Sequence, residues 1–525
     1  MKIVVPMAGK GKRFNDYLSP KPLMDIGGKA MVEHAISFLP KDYEFIFLCN
    51  EDHLRETNMK EVLENAVPDK RIVSIPNHSK GPAHSSLFAL DYIKDDEEVL
   101  VTYCDTIQVC NFYDFLKKIR NIRPDGALFS FKGFHPASLG ETYYGYLRVD
   151  ENNFLQELRE KKSFTDNRLN EFASSGVYYF SSGKIFKKYV QELVSDEGNA
   201  VKGEFYSSLL LNLMIRDNLK VLNYEINKFI SLGIPRDYEL YKFWSEVFLS
   251  YSNNKTSFDN INLNMTNIFP IAGAGRDFVG QGFEGPNFAL PIMNKPLIHH
   301  AFKSNPRAVK NVFVGLEEHK DHFVDIDLFT NPDSRVVLLS GQTRGNAETI
   351  YKMKDEVDLD SPLCISGSTQ ILDFNEKKML NLMEKEDVDM VFFSFSHHEC
   401  VLRNPNDFAY FKLKNNIEVE EIVEKRTISD KPYFDHAFAG VAIFKKAKDL
   451  FDAIEKELVR AEGDKIYYST CINNILKERK AVVLEIDKFI PIRNPGDLKE
   501  FRYWEDYFNK IKLHPYLKNN SNILK

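Results

Sequence analysis

The sequence predicts an α/β protein of two tandem domains, each a mostly parallel sheet flanked by helices. Three observations carry this. Short segments recur in order at a nearly constant offset, apolar runs of strand length alternate with segments of helical spacing, and 525 residues are too many for one compact core. Pro6-Met7-Ala8-Gly9 returns 264 positions later as Pro270-Ile271-Ala272-Gly273. Gly81-Pro82-Ala83 returns as Gly345-Asn346-Ala347, Phe129-Ser130-Phe131 as Phe393-Ser394-Phe395, and Glu160-Lys161 as Glu424-Lys425. Towards the ends the offset falls to 260, where Lys228-Phe229-Ile230 matches Lys488-Phe489-Ile490 and the two tryptophans, Trp244 and Trp504, match each other. Chance matches would scatter. The expected organisation is a first domain over 1–250, an Asn- and Ser-rich linker over 251–264, a second domain over 265–512 and a tail over 513–525.

Within the first copy each element has its own signal. Residues 2–6 are almost all apolar, as in a strand buried on both faces. Residues 31–38 have helical spacing. Residues 44–49, 71–75 and 99–103 read as further strands, with helices over 85–93 and 112–119 and later strands over 127–131 and 175–180. This alternation predicts parallel pairing with helices on both faces, and ligands then bind at the carboxyl ends of the strands.

Composition bounds the function. Lys plus Arg total 69 against 76 Asp plus Glu, a net charge of −7, which argues against coating a nucleic acid. Six cysteines without CxxC spacing suit a reducing cytosol better than a disulfide scaffold. No apolar run approaches the roughly 18 residues of a membrane span, and the apolar start of the chain is too short for a signal peptide. The expectation is a cytoplasmic protein with no membrane span and no nucleic-acid partner.

The chemistry-bearing residues follow the strands. The first strand runs into Ala8-Gly9-Lys10-Gly11-Lys12-Arg13, where glycines let backbone N–H groups approach an anion and basic side chains follow at once. It is neither a Walker A loop nor a GxGxxG. In Ser19-Pro20-Lys21-Pro22, a lysine between two prolines is held by stiff backbone. Alone it reads as a surface turn. Asp105 ends an apolar strand, the place for a carboxylate that binds Mg²⁺, although a lone Asp there also suits a helix cap.

The ordered set is more specific than its parts. Gly9-Lys10-Gly11-Lys12-Arg13, Pro20-Lys21-Pro22-Leu23, Gly81-Pro82-Ala83, strand-Asp105, Gly145, Glu160-Lys161 and Ser175-Gly176 together resemble the sugar-phosphate nucleotidyltransferases, or nucleoside-diphosphate-sugar pyrophosphorylases. The likeness spans nearly all of the first copy and, more faintly, the second. Val5-Pro6-Met7-Ala8-Gly9 with Ser19-Pro20-Lys21-Pro22-Leu23 is most similar to the branch associated with capsule and surface polysaccharide. The resemblance implies two Rossmann-like, GT-A-like domains and an Mg²⁺-dependent reaction. A phosphate oxygen of a sugar or polyol phosphate attacks the α-phosphorus of a nucleoside triphosphate and pyrophosphate leaves. By the same resemblance Ala8, Gly9, Gly11 and Lys12 approach the nucleotide, and Gly81, Pro82 and Ala83 line its base. Arg13 and Lys21 neutralise the triphosphate, and Asp105 holds Mg²⁺. Gly145 and Glu160 meet the acceptor's hydroxyls, Lys161 its phosphate, and Ser175 and Gly176 border that pocket. The 79–83 loop lacks the Gln-rich pattern of dTTP and UTP enzymes, which slightly favours CTP. Ser231 stands where many relatives carry a second metal-binding Asp, so the second ligand is open between phosphates with water and a carboxylate such as Asp237. The alternatives are a nucleotide-sugar-dependent glycosyltransferase, disfavoured by Asp105-Thr106-Ile107 in place of Asp-x-Asp, and a non-catalytic nucleotide or sugar sensor.

The second copy keeps the fold pattern but loses charge. Lys21 aligns with Asn287 and Asp105 with the Ser368 region of Ser366-Gly367-Ser368-Thr369, while Arg276, Glu424 and Lys425 remain. The expectation is a pseudo-catalytic domain, with the two copies pairing within one chain and a homodimer as the further option. His397-His398-Glu399-Cys400 has adjacent rather than facing ligand types and reads as a loop. His299-His300 opens a helix and reads as structural.

Overall fold

The computed structural model describes the chain except residues 10, 140–142, 253–262, 276, 281, 325, 331, 461–464 and 511–525. Contacts divide it into two compact units, Met1–Asn254 with Arg502–Lys525, and Lys255–Phe501. Most of the expected linker and all of the expected tail lie outside the described residues. Residues 502–510, expected to close the second domain, group with the first unit. There the Tyr503 hydroxyl donates to the Phe229 carbonyl (2.8 Å) and Trp504 meets Tyr241 edge-on.

The first unit is built on a nine-stranded sheet. Lys2–Met7 lies at its centre, parallel to Glu44–Asn50 on one side and Val99–Thr102 on the other, and Lys70–Ile75 extends the first side in parallel. Alternate residues feed opposite faces, as the strand pleat requires. Ile3, Val5 and Met7 join the core that holds Phe115 and Phe129, whereas Val4 joins Ile46, Val101 and Phe186. Helix Phe112–Ile122 covers the first face with Phe112, Phe115 and Ile119, and the Asn111 side chain accepts from its Tyr113 and Asp114 amides (3.1 and 3.2 Å). Helix Gly183–Ser195 covers the other face with Phe186, Tyr189, Val190 and Leu193.

Two expectations change. The sheet is mixed rather than mostly parallel. Phe172–Phe180 runs antiparallel to Val99–Thr102, Gly126–Phe131 and Gly145–Val149, and Gly145–Val149 pairs antiparallel with Leu155–Glu160. Antiparallel neighbours need no crossover helix, and the chain from 145 to 180 supplies none. The expected helices over 31–38 and 85–93 are shorter. The first stops at Met31–Ala35, and the second is Pro82–Ser86 followed by a 3₁₀ segment, Leu87–Tyr92.

The second unit has its own nine-stranded sheet. Its order is Ser334–Leu339, Ala308–Leu316, Leu263–Pro270, Leu363–Ser366, Ala437–Phe444, Met390–Phe395, Ala481–Glu485, Glu418–Glu424 and Ala409–Lys414. Leu263–Pro270 again runs parallel to both its neighbours, and Ala437–Phe444 antiparallel to Leu363–Ser366.

All six cysteines are unbonded, and five are buried. Burial pushes the thiols of Cys49, Cys104, Cys110, Cys364 and Cys471 up to about 12, and Cys400 higher. The imidazole Nδ1 of His398 accepts from the Cys400 amide (3.2 Å) and caps the helix Glu399–Arg403. No group of three or more His, Cys, Asp or Glu among the described residues is arranged to hold a metal ion. No helix among them is long and apolar enough to cross a membrane.

Candidate functional site

The carboxyl ends of Lys2–Met7 and Val99–Thr102 open into a cavity of about 510 Å³ in the first unit. That is within the range of small-molecule sites. Ala8, Gly9, Gly11, Arg13, Lys21, Gly81, Pro82, Asp105, Gly145, Glu160, Lys161, Ser175 and Gly176 all line it, though they span 169 positions of sequence. One expected residue is placed differently. Ala83 is fully buried in the core beside Val4 and Phe205, with its amide on the Phe205 carbonyl (3.0 Å), so it supports the turn from behind and does not line the cavity. The side chain of Lys12 lies outside the described residues, as does the whole of Lys10.

The glycine loop forms one wall. Gly11 has φ +62° and precedes the 3₁₀ turn Lys12–Phe14, where the Phe14 amide reaches the Gly11 carbonyl (2.7 Å). Phe14 is buried against Tyr17 and Tyr238, which anchors the turn while Arg13 stays exposed on the cavity side. Around Gly9 a Cβ would meet nothing within 4 Å.

Lys21 and Asp105 meet in the middle. Lys21 starts the 3₁₀ turn Lys21–Leu23, and the Leu23 amide closes on the Pro20 carbonyl (2.8 Å). Its Nζ lies 2.5 Å from Oδ2 of Asp105. Burial alone would lower the pKa of this ammonium, but the charge of Asp105, the nearby Cys104 and the direct hydrogen bond outweigh it, so Lys21 titrates above 10.5 and is a cation. Asp105 is fixed by its backbone, because its carbonyl accepts from the Leu232 amide (2.8 Å). Thr106–Val109 pairs with Lys228–Ser231, which sets Ser231 opposite Thr106 and beside Asp105. At Gly233 a Cβ would come within 3.2 Å of Oδ2 of Asp105.

Gly81 turns the chain at one end of the cavity with φ +89°, and a Cβ there would lie 2.8 Å from both the amide and the carbonyl of Phe205. Only glycine suits that conformation and that contact. Pro82 then opens its helix, a favoured first position. His78 Nε2 is 3.0 Å from Ser85 Oγ, and the His78 and His84 rings are 4.7 Å apart. Burial, then the neighbouring His84 and Lys80, lower the His78 pKa, so it is neutral at pH 7.

The opposite end is the Glu160–Lys161 turn. Gly145 pairs with Glu160, and a Cβ at Gly145 would lie 2.8 Å from Oε2 of that carboxylate. Ser208 Oγ donates to the same Oε2 (2.5 Å). Lys161 is left-handed at φ +59°, with its Nζ 2.7 Å from the Tyr143 carbonyl and 5.1 Å from the Tyr206 ring centre. Ser175 donates its hydroxyl to the Phe129 carbonyl (3.1 Å), and Gly176, at φ +89°, lies against the Tyr103 ring.

Sequence reasoning missed the tyrosines. Tyr103, Tyr144, Tyr178 and Tyr206 line this end, and burial pushes each phenol above 10.0, so they stay protonated and uncharged. One signal was available: Tyr206 and Ser208 recur 261 positions later as Tyr467 and Ser469.

Among curated proteins, the chain is similar to the bifunctional protein GlmU of Francisella tularensis subsp. novicida, 25% identical over 241 residues, covering 45% of this chain and 49% of that one. The chain spans about half the length of the curated relatives it matches. Among solved structures it is similar to the nucleoside-diphosphate-sugar pyrophosphorylase of Vibrio cholerae RC9, at TM-score 0.39 and 21% identity, covering 46% of this chain and 98% of that one. It is also similar to the inositol-1-phosphate CTP transferase of T. maritima, at TM-score 0.37 and 12% identity, covering 48% and 99%. The segment that builds the glycine loop, the Lys21–Asp105 pair and the Glu160–Lys161 turn, residues 2–216, matches the family of nucleotidyl transferases.

Proposed function

We propose that the first unit joins a nucleoside triphosphate, with CTP slightly favoured, to a sugar or polyol phosphate and releases pyrophosphate. The product serves as an activated precursor for capsule or surface polysaccharide, made in the cytoplasm. The observation that carries this reading is the Lys21–Asp105 pair, set in one cavity between the glycine loop and the Glu160–Lys161 turn. One end offers backbone N–H groups and Arg13 to a triphosphate. The other offers a carboxylate and an ammonium to a phosphorylated polyol.

Phosphoryl transfer of this kind is mainly positioning and charge stabilisation. The acceptor's phosphate oxygen forms a new bond to the α-phosphorus as the bond to the pyrophosphate oxygen breaks in line. Lys161 steers the acceptor phosphate, and Glu160, held by Ser208, accepts from its hydroxyls. Lys21 exchanges its contact with Asp105 for a phosphate oxygen when substrate enters. The residues also fit Mg²⁺. This ion takes one or two carboxylates and fills its shell with water and substrate phosphates. Asp105 offers the carboxylate, Ser231 a hydroxyl beside it, and Gly233 sends no side chain into the space next to Oδ2. With Mg²⁺ bound, Asp105 and Ser231 would hold it where it would neutralise charge on the phosphates.

The second unit is, in this proposal, a degenerate tandem copy. The test is pyrophosphate release with Mg²⁺, offering ATP, CTP, GTP and UTP against a panel of sugar, polyol and amino-alcohol phosphates, with Lys21→Ala and Asp105→Ala as controls. Release with one pair, lost in both variants, supports the reading. Nucleotide binding without release from any pair overturns it in favour of the sensor or the glycosyltransferase.

A further inference from the structure

The second unit has lost the Lys21–Asp105 chemistry and kept part of the acceptor end. Its backbone fixes which residues correspond. The Ile492 amide donates to the Thr369 carbonyl (2.8 Å) as Leu232 donates to Asp105, so Thr369 stands in the carboxylate's place. The Leu290 amide closes on the Asn287 carbonyl as Met24 closes on Lys21, so Asn287 stands in the lysine's place, and its amide is spent on Oδ2 of Asp277 (2.7 Å). The glycine loop is also filled. A Cβ at Gly275 would collide with Pro286, whereas one at Gly11 would meet only the Lys21 side chain at 3.7 Å. Among the described residues, neither an open glycine cradle nor a counterpart of the Asp105 carboxylate remains there.

The Glu–Lys turn of the acceptor end survives, although Tyr103, Tyr144, Gly145, Ser175 and Tyr178 are replaced by Gly367, Phe408, Ala409, Ala439 and Ala442. Glu424 ends its strand opposite Ala409, as Glu160 does opposite Gly145. Ser469 Oγ donates to Oε2 of Glu424 (2.7 Å), as Ser208 does to Glu160. Lys425 is left-handed at φ +51°, against +59° for Lys161. Its amide donates to the Phe408 carbonyl (2.9 Å), as that of Lys161 does to Tyr144 (3.0 Å). Its Nζ is 5.4 Å from the Tyr467 ring centre, against 5.1 Å from Tyr206. Gly440 repeats the positive φ of Gly176, +82° against +89°. A left-handed lysine is a strained choice where glycine or asparagine would make the same turn without strain. Burial also raises the Glu424 pKa, despite the Ser469 hydrogen bond and Lys425.

We propose that Glu424, Lys425, Tyr467 and Ser469 form a second, non-catalytic site that binds a phosphorylated polyol of the class the first unit uses as acceptor. Lys425 takes the phosphate and Glu424 the hydroxyls. Without Asp105 and Lys21 counterparts the ligand is held and not converted. The inference rests on the reading of Glu160 and Lys161 as acceptor groups.

The test uses the full chain without nucleotide. Lysines are acetylated in the presence of glucose 1-phosphate, ribitol 5-phosphate, inositol 1-phosphate or phosphocholine, with inorganic phosphate as control, and the rates at Lys161 and Lys425 are read by mass spectrometry. At a probe concentration ten times its Kd, mass action slows labelling by about tenfold. The expected result is that one organic probe protects Lys425, still does so in Lys161→Ala, and loses its effect in Glu424→Gln. Protection of Lys161 alone overturns the second site and leaves the proposed function standing. Protection of Lys425 alone places a ligand at the second site but removes the acceptor role of Lys161 on which the inference rests, and so overturns it. Protection of neither, or equal protection by inorganic phosphate, overturns the inference.

Discussion

The Lys21–Asp105 contact can be measured as an energy. The two side chains are 23% and 18% exposed and their charged atoms lie 2.5 Å apart. At an effective dielectric near 20, their attraction is about 7 kcal/mol before desolvation. Desolvation of both ions removes most of that. Contacting pairs typically couple by 0.5–3 kcal/mol, and this one, about four-fifths covered, belongs in the range of about 1–3 kcal/mol. The perturbation is a double-mutant cycle, Lys21→Met with Asp105→Asn, followed by urea unfolding. Both tryptophans, Trp244 and Trp504, belong to the first unit, so intrinsic fluorescence reports that unit. The pH dependence has a fixed sign. The folded pKa of Lys21 is raised, so its stabilising contribution is complete below the unfolded value of 10.5 and is lost as pH rises through the folded value. Asp105→Asn should therefore cost most near pH 7 and less above pH 10.5. Additive single variants at pH 7, or a loss that does not shrink above pH 10.5, would refute the argument.

Four further outcomes follow from the geometry. In pyrophosphate release, Asp105→Asn and Lys21→Met each lower the rate by about 10²–10³-fold, the usual loss for one charge-stabilising group. Gly233→Ala brings a methyl within 3.2 Å of Oδ2 of Asp105 and raises the Mg²⁺ concentration for half-maximal release, while urea stability moves by less than about 1 kcal/mol. Gly81→Ala forces a Cβ against the Phe205 backbone at φ +89° and destabilises the first unit by about 1–3 kcal/mol in the fluorescence assay. His135 is buried and its pKa is lowered to about 4, chiefly by that burial. The unfolded state takes up a proton near 6.5 that the folded state refuses. His135 thus contributes about 2–3 kcal/mol that is present above pH 6.5 and lost as pH falls towards 4, and His135→Gln should flatten the stability profile there.

What the sequence made legible was local and repeated. The strands that read as unbroken apolar runs, such as Lys2–Met7, are the buried ones. Lys21 between two prolines is indeed pinned by its backbone, as the restriction on proline's neighbours implies. Strand direction was not legible, because an apolar run such as Phe172–Phe180 has the same composition either way round, and its partners are chosen by loop length and helix placement. Ala83 shows how a resemblance can assign to the cavity a residue that the fold packs behind it. Gly81-Pro82-Ala83 and Gly345-Asn346-Ala347 recur because a small residue must pack under the turn, and Ala83 and Ala347 are both fully buried. The tyrosines were hidden for the opposite reason. Tyr103, Tyr144, Tyr178 and Tyr206 are far apart along the chain, and an aromatic residue in an apolar stretch reads as core until the fold turns its edge towards the cavity.

The empty surroundings of Gly9 and the suppressed acidity of the thiols combine into a practical handle. A thiolate is the species that alkylates, and every native cysteine here is held in its thiol form at neutral pH. A Gly9→Cys substitution would place a reactive sulfur at the rim of the cavity, where its Cβ meets no atom within 4 Å beyond its chain neighbours. Maleimide dyes should then attach at that one position without first removing the native cysteines, so that substrate entry can be followed as a change in emission at the mouth of the cleft.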